Sequence, residues 1–579
     1  MKVKLAKRAG FCMGVRRAME IVLSEINKGT YPLYTYGPLI HNRQVLALLE
    51  TKGVTATDTI QDLDGGTIVI RAHGIPPHER RAIKVSGLRI RDATCPRVAR
   101  VQAIISSHTK QGYTAVIVGD KDHPEVRGLM GYAHGRAYAI TSPEEVAKLP
   151  RIKKVFVVAQ TTQSAQNFQE VTKAVKARFP EAIVFDTICD ATHSRQKEVR
   201  AFAGHVDGVV VVGGYNSGNT QRLVQISRES GMPTFHIETE QELDTKRLAD
   251  MEVVGVTAGA STPNWMIKSV VREIEGIQSR QETFLSRWII KASRFLLMSN
   301  FVVAAGAFAL AHAAAILAGR TPGLIYPALA FFYIYAMHVV NRFLDKGASA
   351  YNDPEIAAFY RKYRSFLIVS GIVSIITALA LSWYLGFWVF CAMLGLNLLG
   401  IAYSIPLVPE GIRHLWRYSR IKDFPGSKTL SEALAWGVVI ALLPLLAGHA
   451  GALLASVAAF IFVFSLTYIR SALFDIFQEQ GDLFVGAETL PITLGEERTL
   501  SLLRGVALFL GLFLIAAPLS GAVGPFSYFL LLTVLSATLC LLAYERRWLH
   551  PGRRFEALVE GNFFLAGLLG LIWQGFFSL

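Results

Sequence analysis

The stretch Arg91-Asp-Ala-Thr-Cys95-Pro96 decides how the first half of this chain is expected to fold. A strand-like run (87–91) enters it, and Pro96 opens a helical pattern, so Cys95 should stand where a helix begins. Free backbone N–H groups and the helix dipole favour a thiolate at such a place. The pattern therefore predicts a strand–cysteine–helix unit with a reactive or metal-binding sulfur.

Cys12 and Cys189 have the same setting. Cys12 lies between strand-like residues 2–6 and a helical pattern, and Cys189 lies between strand-like residues 182–186 and a second helical pattern. Three such units at long spacings predict three thiolates that converge on one point. Structural zinc sites commonly use close CxxC pairs, and these cysteines form none. Three widely separated cysteines instead suit an iron–sulfur cluster with one iron left open for a substrate.

The composition divides the chain into two parts. Of the 579 residues, 52% are hydrophobic, and apolar runs of membrane-spanning length begin near Trp288. We therefore predict an α/β domain over 1–280 and a membrane domain over 281–579. No signal segment precedes the first domain, which is expected in the cytoplasm. The chain has five cysteines, which in a cytoplasmic protein favour metal binding or catalysis over disulfides; Cys391 and Cys540 lie in apolar runs and are expected to be packing residues.

Strand-like runs alternate with helical patterns in 1–280, which predicts parallel sheet with functional groups at the carboxyl ends of strands. The clearest runs are 67–71, 114–119, 154–159, 182–186, 208–212 and 253–256. The polar residues at such ends are His41, His73, His123, Glu125, Thr161, Ser217, Gly218, Asn219 and Ser261. A single histidine there is more often structural, but three in equivalent places favour a shared site whose donors suit an anion. The turn at 213–219 is either an ordinary turn or a nest of N–H groups for an anion.

Six stretches, in order, resemble the 4-hydroxy-3-methylbut-2-enyl diphosphate reductases, the LytB/IspH family. They are Gly10-Phe-Cys12-Met-Gly-Val, Asp92-Ala-Thr-Cys95-Pro, His123-Pro-Glu125, Gln160-Thr161-Thr162, Asp186-Thr-Ile-Cys189 and Val256-Thr-Ala-Gly-Ala-Ser261. The resemblance spans nearly all of 1–280. It implies three pseudo-repeated α/β units around a central [4Fe–4S] cluster bound by Cys12, Cys95 and Cys189.

The same resemblance implies the chemistry of the site. Glu125, with Thr161 and His123, would be catalytic, and Glu125 would supply protons. The substrate diphosphate would lie among His41, His73, His123, Thr161, Ser217, Gly218, Asn219 and Ser261. Two electrons from a ferredoxin- or flavodoxin-type donor, with protons, would remove the substrate hydroxyl as water and give isopentenyl and dimethylallyl diphosphates. Many relatives have serine where this chain has Gly218, so one side-chain donor is absent while the backbone N–H remains.

Nine apolar runs follow, each near the ~20 residues that cross a bilayer. They start near Phe295, Gly323, Phe366, Phe387, Leu430, Leu453, Leu502, Phe526 and Asn562. Basic residues collect in alternate loops, within 361–364, 413–428, 496–498 and 546–554. The loops on the opposite side contain one basic residue, Arg320. The positive-inside rule then predicts a multi-pass protein of the inner, cytoplasmic membrane with its first domain in the cytoplasm. These loops account for much of the net charge of +15, and no nucleic-acid partner is expected.

Polar residues interrupt the membrane half at helical spacings. Asn341 and Asp345 are four apart, and Asp475 and Asp482 are seven apart, so each pair shares a helix face. Such groups are commonly solvated helix ends, but two clusters facing one cavity would hold Mg²⁺ against a diphosphate. The two pairs resemble the first and second aspartate motifs of the UbiA superfamily of membrane prenyltransferases.

Further motifs extend this resemblance over roughly 290–579. Tyr418-Ser-Arg-Ile-Lys422-Asp423 is similar to the YxxxKD loop of the UbiA superfamily. The chain departs from the pattern at Arg342, Ser349 and Gln478, where relatives often have aspartate, and Glu479 can compensate for the last. The resemblance implies transfer from a prenyl diphosphate to an aromatic or lipid acceptor, with Mg²⁺ as cofactor.

The predicted function is therefore a reductase of C5 diphosphates fused to a membrane prenyltransferase. One alternative is a membrane-tethered iron–sulfur sensor or electron carrier, although a carrier needs neither Glu125 nor a diphosphate pocket. A second is that the membrane half is a catalytically degenerate anchor or a lipid carrier.

Overall fold

The computed structural model describes residues 1–61, 63–277, 284–321, 323–344, 354–405, 421–448, 453–485, 487–546, 548–549 and 551–577. The chain forms two compact units, Met1–Gln281 and Glu282–Leu579. The predicted site residues Asp345 and Tyr418, and the departure at Ser349, lie outside the described residues, as does the side chain of Asp423.

The described part of the first unit contains three four-stranded sheets in which all strands are parallel. The strands are β1 (Lys2–Leu5), β2 (Leu33–Tyr36), β3 (Val54–Thr57), β4 (Thr67–Ile70), β5 (Arg89–Asp92), β6 (Thr114–Val118), β7 (Ala137–Ile140), β8 (Val155–Ala159), β9 (Ile183–Val184), β10 (Gly208–Val212), β11 (Thr234–Ile237) and β12 (Val253–Ala258). Their orders are β1-β12-β10-β11, β5-β4-β2-β3 and β9-β8-β6-β7.

Helices connect the strands. They are α1 (Met13–Asn27), α2 (Arg43–Thr51), α3 (Pro77–Val85), α4 (Pro96–Lys110), α5 (Pro124–Gly131), α6 (Ala165–Arg178), α7 (Asp190–Arg200), α8 (Gly218–Glu229), α9 (Thr245–Leu248) and α10 (Asn264–Gly276). The central strands are apolar on both faces because helices cover them on both sides; the four valines of β10, for example, are fully buried.

The three sheets repeat one arrangement around the predicted cysteines. Each sheet has an edge strand (β1, β5 or β9) that leads into a cysteine and then into a helix (α1, α4 or α7). The prediction of three α/β units is confirmed. Four strands were not predicted: β2, β3, β7 and β11. Three of these are the opposite edges of the sheets and are partly exposed, so they lack the continuous apolar runs that mark the central strands.

The described part of the second unit is helical. Its helices are α11 (Phe284–Met298), α12 (Phe301–Leu317), α13 (Ile325–Leu344), α14 (Pro354–Lys362), α15 (Arg364–Leu385), α16 (Phe387–Ala402), α17 (Ser427–Gly437), α18 (Leu453–Val485), α19 (Leu490–Leu494), α20 (Glu496–Leu519), α21 (Phe526–Glu545) and α22 (Arg553–Phe577). The α17 helix continues as a π-helical and then a 3₁₀ segment to Ala447.

Six helices among the described residues are long and apolar enough to cross a membrane, and a seventh crossing results if the bent pair Lys291–Met298 and Phe301–Leu317, with a 72° bend, counts as one. All nine predicted runs are helical, but α13 and α16 are not in this set, and α16 has only 16 residues. Nine crossings are therefore not confirmed. The polytopic helical character is confirmed.

Candidate functional site

The three predicted ligand cysteines occupy equivalent positions at helix starts. Each is the residue that precedes the first turn: Cys12 of α1, Cys95 of α4 and Cys189 of α7. The backbone N–H of each donates to a carbonyl that follows the neighbouring strand: Cys12 to Ala260 (3.1 Å), Cys95 to Ala72 (2.9 Å) and Cys189 to Thr161 (3.0 Å). The same backbone bond thus fixes each cysteine at the carboxyl edge of its own sheet.

A glycine and an arginine complete the surroundings of the sulfurs. A Cβ on Gly14 would lie 2.6 Å from Cys95 Sγ, so only glycine leaves room there. Arg195 is 4% exposed and its guanidinium donates to the carbonyl of Gly10. Its Nε atom is buried without a hydrogen-bond partner. Arg195 was not predicted, because its place inside α7 carries no motif. It lies close to Cys12 and Cys189, whose sulfurs raise its pKa. Burial lowers the pKa of Arg195 by more.

The helix start acts on Cys95 in the predicted direction, but a second effect opposes it. The N–H groups of Arg97 and Val98 lower the pKa of the Cys95 thiol as expected, but burial is the larger effect and raises the pKa. A coordinated metal ion deprotonates a thiol outright. The site fits a [4Fe–4S] cluster held by three thiolates. Three sulfurs line one cavity, Gly14 leaves room beside Cys95, and the cation of Arg195 is buried next to them.

The three histidines meet although they come from two sheets. Ring centroids are 4.5 Å apart for His41 and His73, 5.5 Å for His41 and His123, and 5.4 Å for His73 and His123. Burial lowers the pKa of all three, that of His73 well below its usual value and that of His123 to about 4. At neutral pH they are therefore uncharged hydrogen-bonding groups.

Hydrogen bonds fix which nitrogen of His123 carries the proton. The backbone N–H of Glu125 donates to Nδ1 of His123 at 3.1 Å, so the neutral ring carries its hydrogen on Nε2. Buried polar atoms without a hydrogen-bond partner gather beside it: Nε2 of His41, Nδ1 of His73 and Nδ2 of Asn219. Buried polar groups are normally satisfied, so this group indicates a site for a polar ligand.

Glu125 lies next to the histidines and is 2% exposed. Thr161 donates to both of its oxygens, from the backbone N–H at 2.7 Å and from the hydroxyl at 2.9 Å. Burial nevertheless raises the pKa of Glu125, because desolvation of the carboxylate outweighs these two bonds. The predicted pairing of Glu125 with Thr161 is thus present as a contact.

Ser217, Gly218 and Ser261 of the predicted pocket line the same cavity. Ser217 accepts from the N–H of Thr220 at 3.4 Å at the start of α8, and the Ser261 hydroxyl donates to the His41 carbonyl at 2.9 Å. A Cβ on Gly218 would lie 3.8 Å from the His123 ring, which is ordinary van der Waals contact. A serine would therefore fit at Gly218.

All predicted site residues of the first unit line one cavity of about 100 Å³. They are Cys12, Cys95, Cys189, His41, His73, His123, Glu125, Thr161, Ser217, Gly218, Asn219 and Ser261. Thr162 and Arg195, which were not predicted, line it as well. The cavity combines sulfur ligands, anion donors and a buried acid.

The second unit places Asp475 in the interior of its bundle. Asp475 is fully buried on α18, and its two oxygens accept from Nζ of Lys428 at 2.7 Å and from the hydroxyl of Thr429 at 2.6 Å. Asn341 accepts from the hydroxyl of Ser404 at 3.3 Å. The contact of Lys428 with Asp475 was not predicted, because 47 residues separate them.

The oxygen donors suit a divalent metal ion in their chemistry. Asp482 lies two turns beyond Asp475 on α18 and is 2% exposed. Carboxylate and amide oxygens are the ligands that Mg²⁺ prefers. The ammonium of Lys428 at Asp475 shows that this carboxylate faces positive charge. Lys422 lies in a short helical turn, Ile421–Asp423.

Comparison with known proteins identifies both halves. Residues 3–275 match the family described as LytB protein, and residues 295–568 match the UbiA prenyltransferase family. The 4-hydroxy-3-methylbut-2-enyl diphosphate reductase of Citrifermentans bemidjiense is 47% identical over 278 residues, which cover 48% of this chain and 98% of that protein.

Two solved structures are similar to the two halves. The E-1-hydroxy-2-methyl-but-2-enyl-4-diphosphate reductase of Plasmodium falciparum is 30% identical, with a TM-score of 0.45, over 47% of this chain and 87% of that one. A UbiA homolog of Archaeoglobus fulgidus, solved with DMAPP and Mg²⁺, is 18% identical, with a TM-score of 0.35, over 48% of this chain and 99% of that one. Together with the family matches, the identity to the reductases leads to one conclusion: this chain belongs to the LytB family and carries in its second half a membrane domain of the UbiA prenyltransferase family.

Proposed function

We propose that residues 1–280 reduce 4-hydroxy-3-methylbut-2-enyl diphosphate to isopentenyl and dimethylallyl diphosphates. The observation that carries this proposal is the single cavity in which three cysteines, three neutral histidines and a buried glutamic acid meet. An electron carrier or sensor needs neither the three histidines nor the glutamic acid.

The anion donors of the cavity suit the diphosphate of the substrate. His41, His73 and Asn219 offer buried nitrogen atoms without partners, and His123 offers its Nε2–H. The α8 helix begins at Gly218, so its first N–H groups and its dipole add positive potential at the same place. Ser217 and Ser261 complete the pocket with hydroxyl groups. Neutral donors bind the anion without the cost of burying an additional unpaired charge.

Cys12, Cys95 and Cys189 would hold the [4Fe–4S] cluster, which when bound would supply the two electrons of the reduction. The hydroxyl group then departs as water, which requires protons from the protein. Glu125 is the acid for this role, because burial raises its pKa and so favours the protonated carboxyl group. The two bonds from Thr161 hold this carboxyl group in place.

Residues 281–579 are proposed to transfer a prenyl group from its diphosphate to an aromatic or lipid acceptor. Support comes from the family match and from the buried Asp475 on α18. The residues that would hold Mg²⁺ are Asn341, Asp345, Asp475 and Asp482, and the loop residues Tyr418, Lys422 and Asp423 would assist. When bound, Mg²⁺ would neutralise the charge of the leaving diphosphate. The proposed location is the inner membrane, with residues 1–280 in the cytoplasm beside the electron donor.

The direct test is turnover by the full chain, prepared anaerobically in detergent, with dithionite-reduced methyl viologen as the source of electrons. The two C5 diphosphates should form in wild type and in the exposed control Glu170→Gln, and should be absent in Cys95→Ser. Iron-loaded wild-type protein that leaves the substrate unchanged would overturn the reductase proposal. Labelled geranyl diphosphate, followed into the lipids of membranes that contain the full chain, tests the transferase.

A further inference from the structure

A second group of charged side chains crosses the helical bundle one turn away from Asp475. We call it the carboxylate layer: His338 on α13, Glu432 on α17, Arg470 and Ser471 on α18, and Glu560 on α22. Nε of Arg470 donates to Glu560 at 2.9 Å and its Nη1 donates to Glu432 at 2.5 Å. The Ser471 hydroxyl donates to the other oxygen of Glu432 at 2.6 Å, and Nε2 of His338 lies 3.5 Å from Glu432.

The layer carries more acid than base. One guanidinium, Arg470, faces two carboxylates, Glu432 and Glu560, inside a membrane-spanning bundle. An excess negative charge in such surroundings is costly, and intramembrane ionisable groups usually mark functional sites. Arg342 acts electrostatically on His338 and Lys428 acts on Glu432, so cations one turn away balance the extra carboxylate. Glu432 therefore stands as a carboxylate that can accept a proton.

Only part of the layer is accessible. About a quarter of the His338 side chain (25%) and a fifth of the Glu432 side chain (20%) are exposed, whereas Arg470 and Glu560 are at 9% and 6%. The neighbours of His338 on α13 are buried: Met337 is 7% exposed and Val339 is 1%. The His338–Glu432 pair is thus the accessible part of the layer, whereas the arginine and the second glutamate are buried.

The carboxylate layer lies parallel to a second layer, which we call the diphosphate layer: Asn341, Arg342, Lys428 and Asp475. On each of three helices the two layers are four residues apart: His338 and Arg342, Lys428 and Glu432, Ser471 and Asp475. Four residues of α-helix rise about 6 Å. A diphosphate bound at the basic groups of the second layer would therefore have the His338–Glu432 pair one helical turn away. Displacement at an allylic carbon needs this order of leaving group, carbon and nucleophile.

We propose that the His338–Glu432 pair accepts the proton that the acceptor loses during prenyl transfer. The proposal rests on the transferase function proposed above. The C1–O bond of the prenyl diphosphate breaks with its electron pair leaving on the diphosphate, and a bond forms between C1 and the nucleophilic atom of the acceptor. The proton on that atom passes to the pair. Arg470 and Glu560 are positioning residues, because they touch Glu432 or its partner and not the acceptor.

The test uses the full chain in membrane vesicles with [1-³H]geranyl diphosphate, and compares labelled lipid with released geraniol. In Glu432→Gln and His338→Gln, lipid labelling should fall by roughly 10²-fold or more, as expected for loss of a general base. Geranyl diphosphate should still be consumed, because water captures the geranyl group in place of the acceptor. Glu545→Gln, which changes a carboxylate at the end of α21, is the matched control and should behave as wild type.

Two outcomes would overturn the proton-accepting role, and a third would overturn the transferase function. Variants that keep wild-type lipid labelling overturn the proton-accepting role. Variants that lose both labelling and geraniol at equal protein amounts show a structural role and overturn it as well. Glu432 also pairs with Arg470, so the Glu432→Gln protein can fail to accumulate. In that case His338→Gln tests the proton-accepting role, because this substitution leaves the Glu432–Arg470–Glu560 contacts in place. Wild-type membranes that label no more lipid than chain-free membranes overturn the transferase function itself.

Discussion

Replacing Glu125 by glutamine removes the proposed proton source and leaves the shape of the site. Thr161 contacts both carboxyl oxygens, at 2.7 and 2.9 Å, and an amide can keep both contacts, since its oxygen accepts and its NH₂ donates to the hydroxyl. The cysteines are untouched, so iron content should be unchanged. Loss of a positioned general acid should lower kcat by roughly 10²–10⁴, or about 2.7–5.4 kcal/mol of activation free energy.

The assay is anaerobic turnover of 4-hydroxy-3-methylbut-2-enyl diphosphate across a range of pH. Because burial raises the pKa of Glu125, wild-type kcat should fall as pH rises through that raised value and the proton is lost. Glu125→Gln should lack this decline, and KM should change little. Glu170→Gln on the exposed face of α6 is the control. A cluster-loaded Glu125→Gln protein with wild-type kcat would refute the reasoning.

Four further substitutions test the two sites. Cys95→Ser should lose most of its iron, measured anaerobically, because a three-thiolate site has no spare ligand; full iron content would count against the ligand set. Gly14→Ala should also lower iron content, since its Cβ would lie 2.6 Å from Cys95 Sγ, and unchanged iron and turnover would remove the steric argument. Asp475→Ala and Asp345→Ala should each abolish Mg²⁺-dependent incorporation of labelled geranyl diphosphate into membrane lipid, and incorporation that persists in the double variant would point to an anchor.

Local sequence patterns were sufficient for the framework of the first unit. Pro96 after Cys95, and strand-like runs before each cysteine, predicted three helix starts that the structure contains. The partly exposed edge strands β3, β7 and β11 were missed, because strands exposed on one face and short in length carry little apolar signal. The larger, opposing effect of burial on the pKa of Cys95 was missed for a related reason: burial is a tertiary property that a helix-start pattern does not report.

Contacts between distant residues were the main omission in both units. Arg195 sits on a predicted helix, yet its approach to Cys12 depends on how that helix packs. Lys428 and Asp475 are 47 residues apart, and Arg470 and Glu560 are 90 apart. Sequence spacing shows which residues share one helix face, but not which helices are neighbours. Nine crossings are not confirmed among the described residues for a different reason: α13 and α16 are not among the long apolar helices, and α16 has only 16 residues.

The most direct test of the central claim is a Mössbauer spectrum of ⁵⁷Fe-loaded full chain, recorded with and without 4-hydroxy-3-methylbut-2-enyl diphosphate. Three cysteine ligands leave one iron of a [4Fe–4S] cluster without a protein sulfur, so substrate should change the signal of about one iron in four. A spectrum that saturating substrate leaves unchanged, or a colourless zinc protein that still turns over, would contradict the assignment.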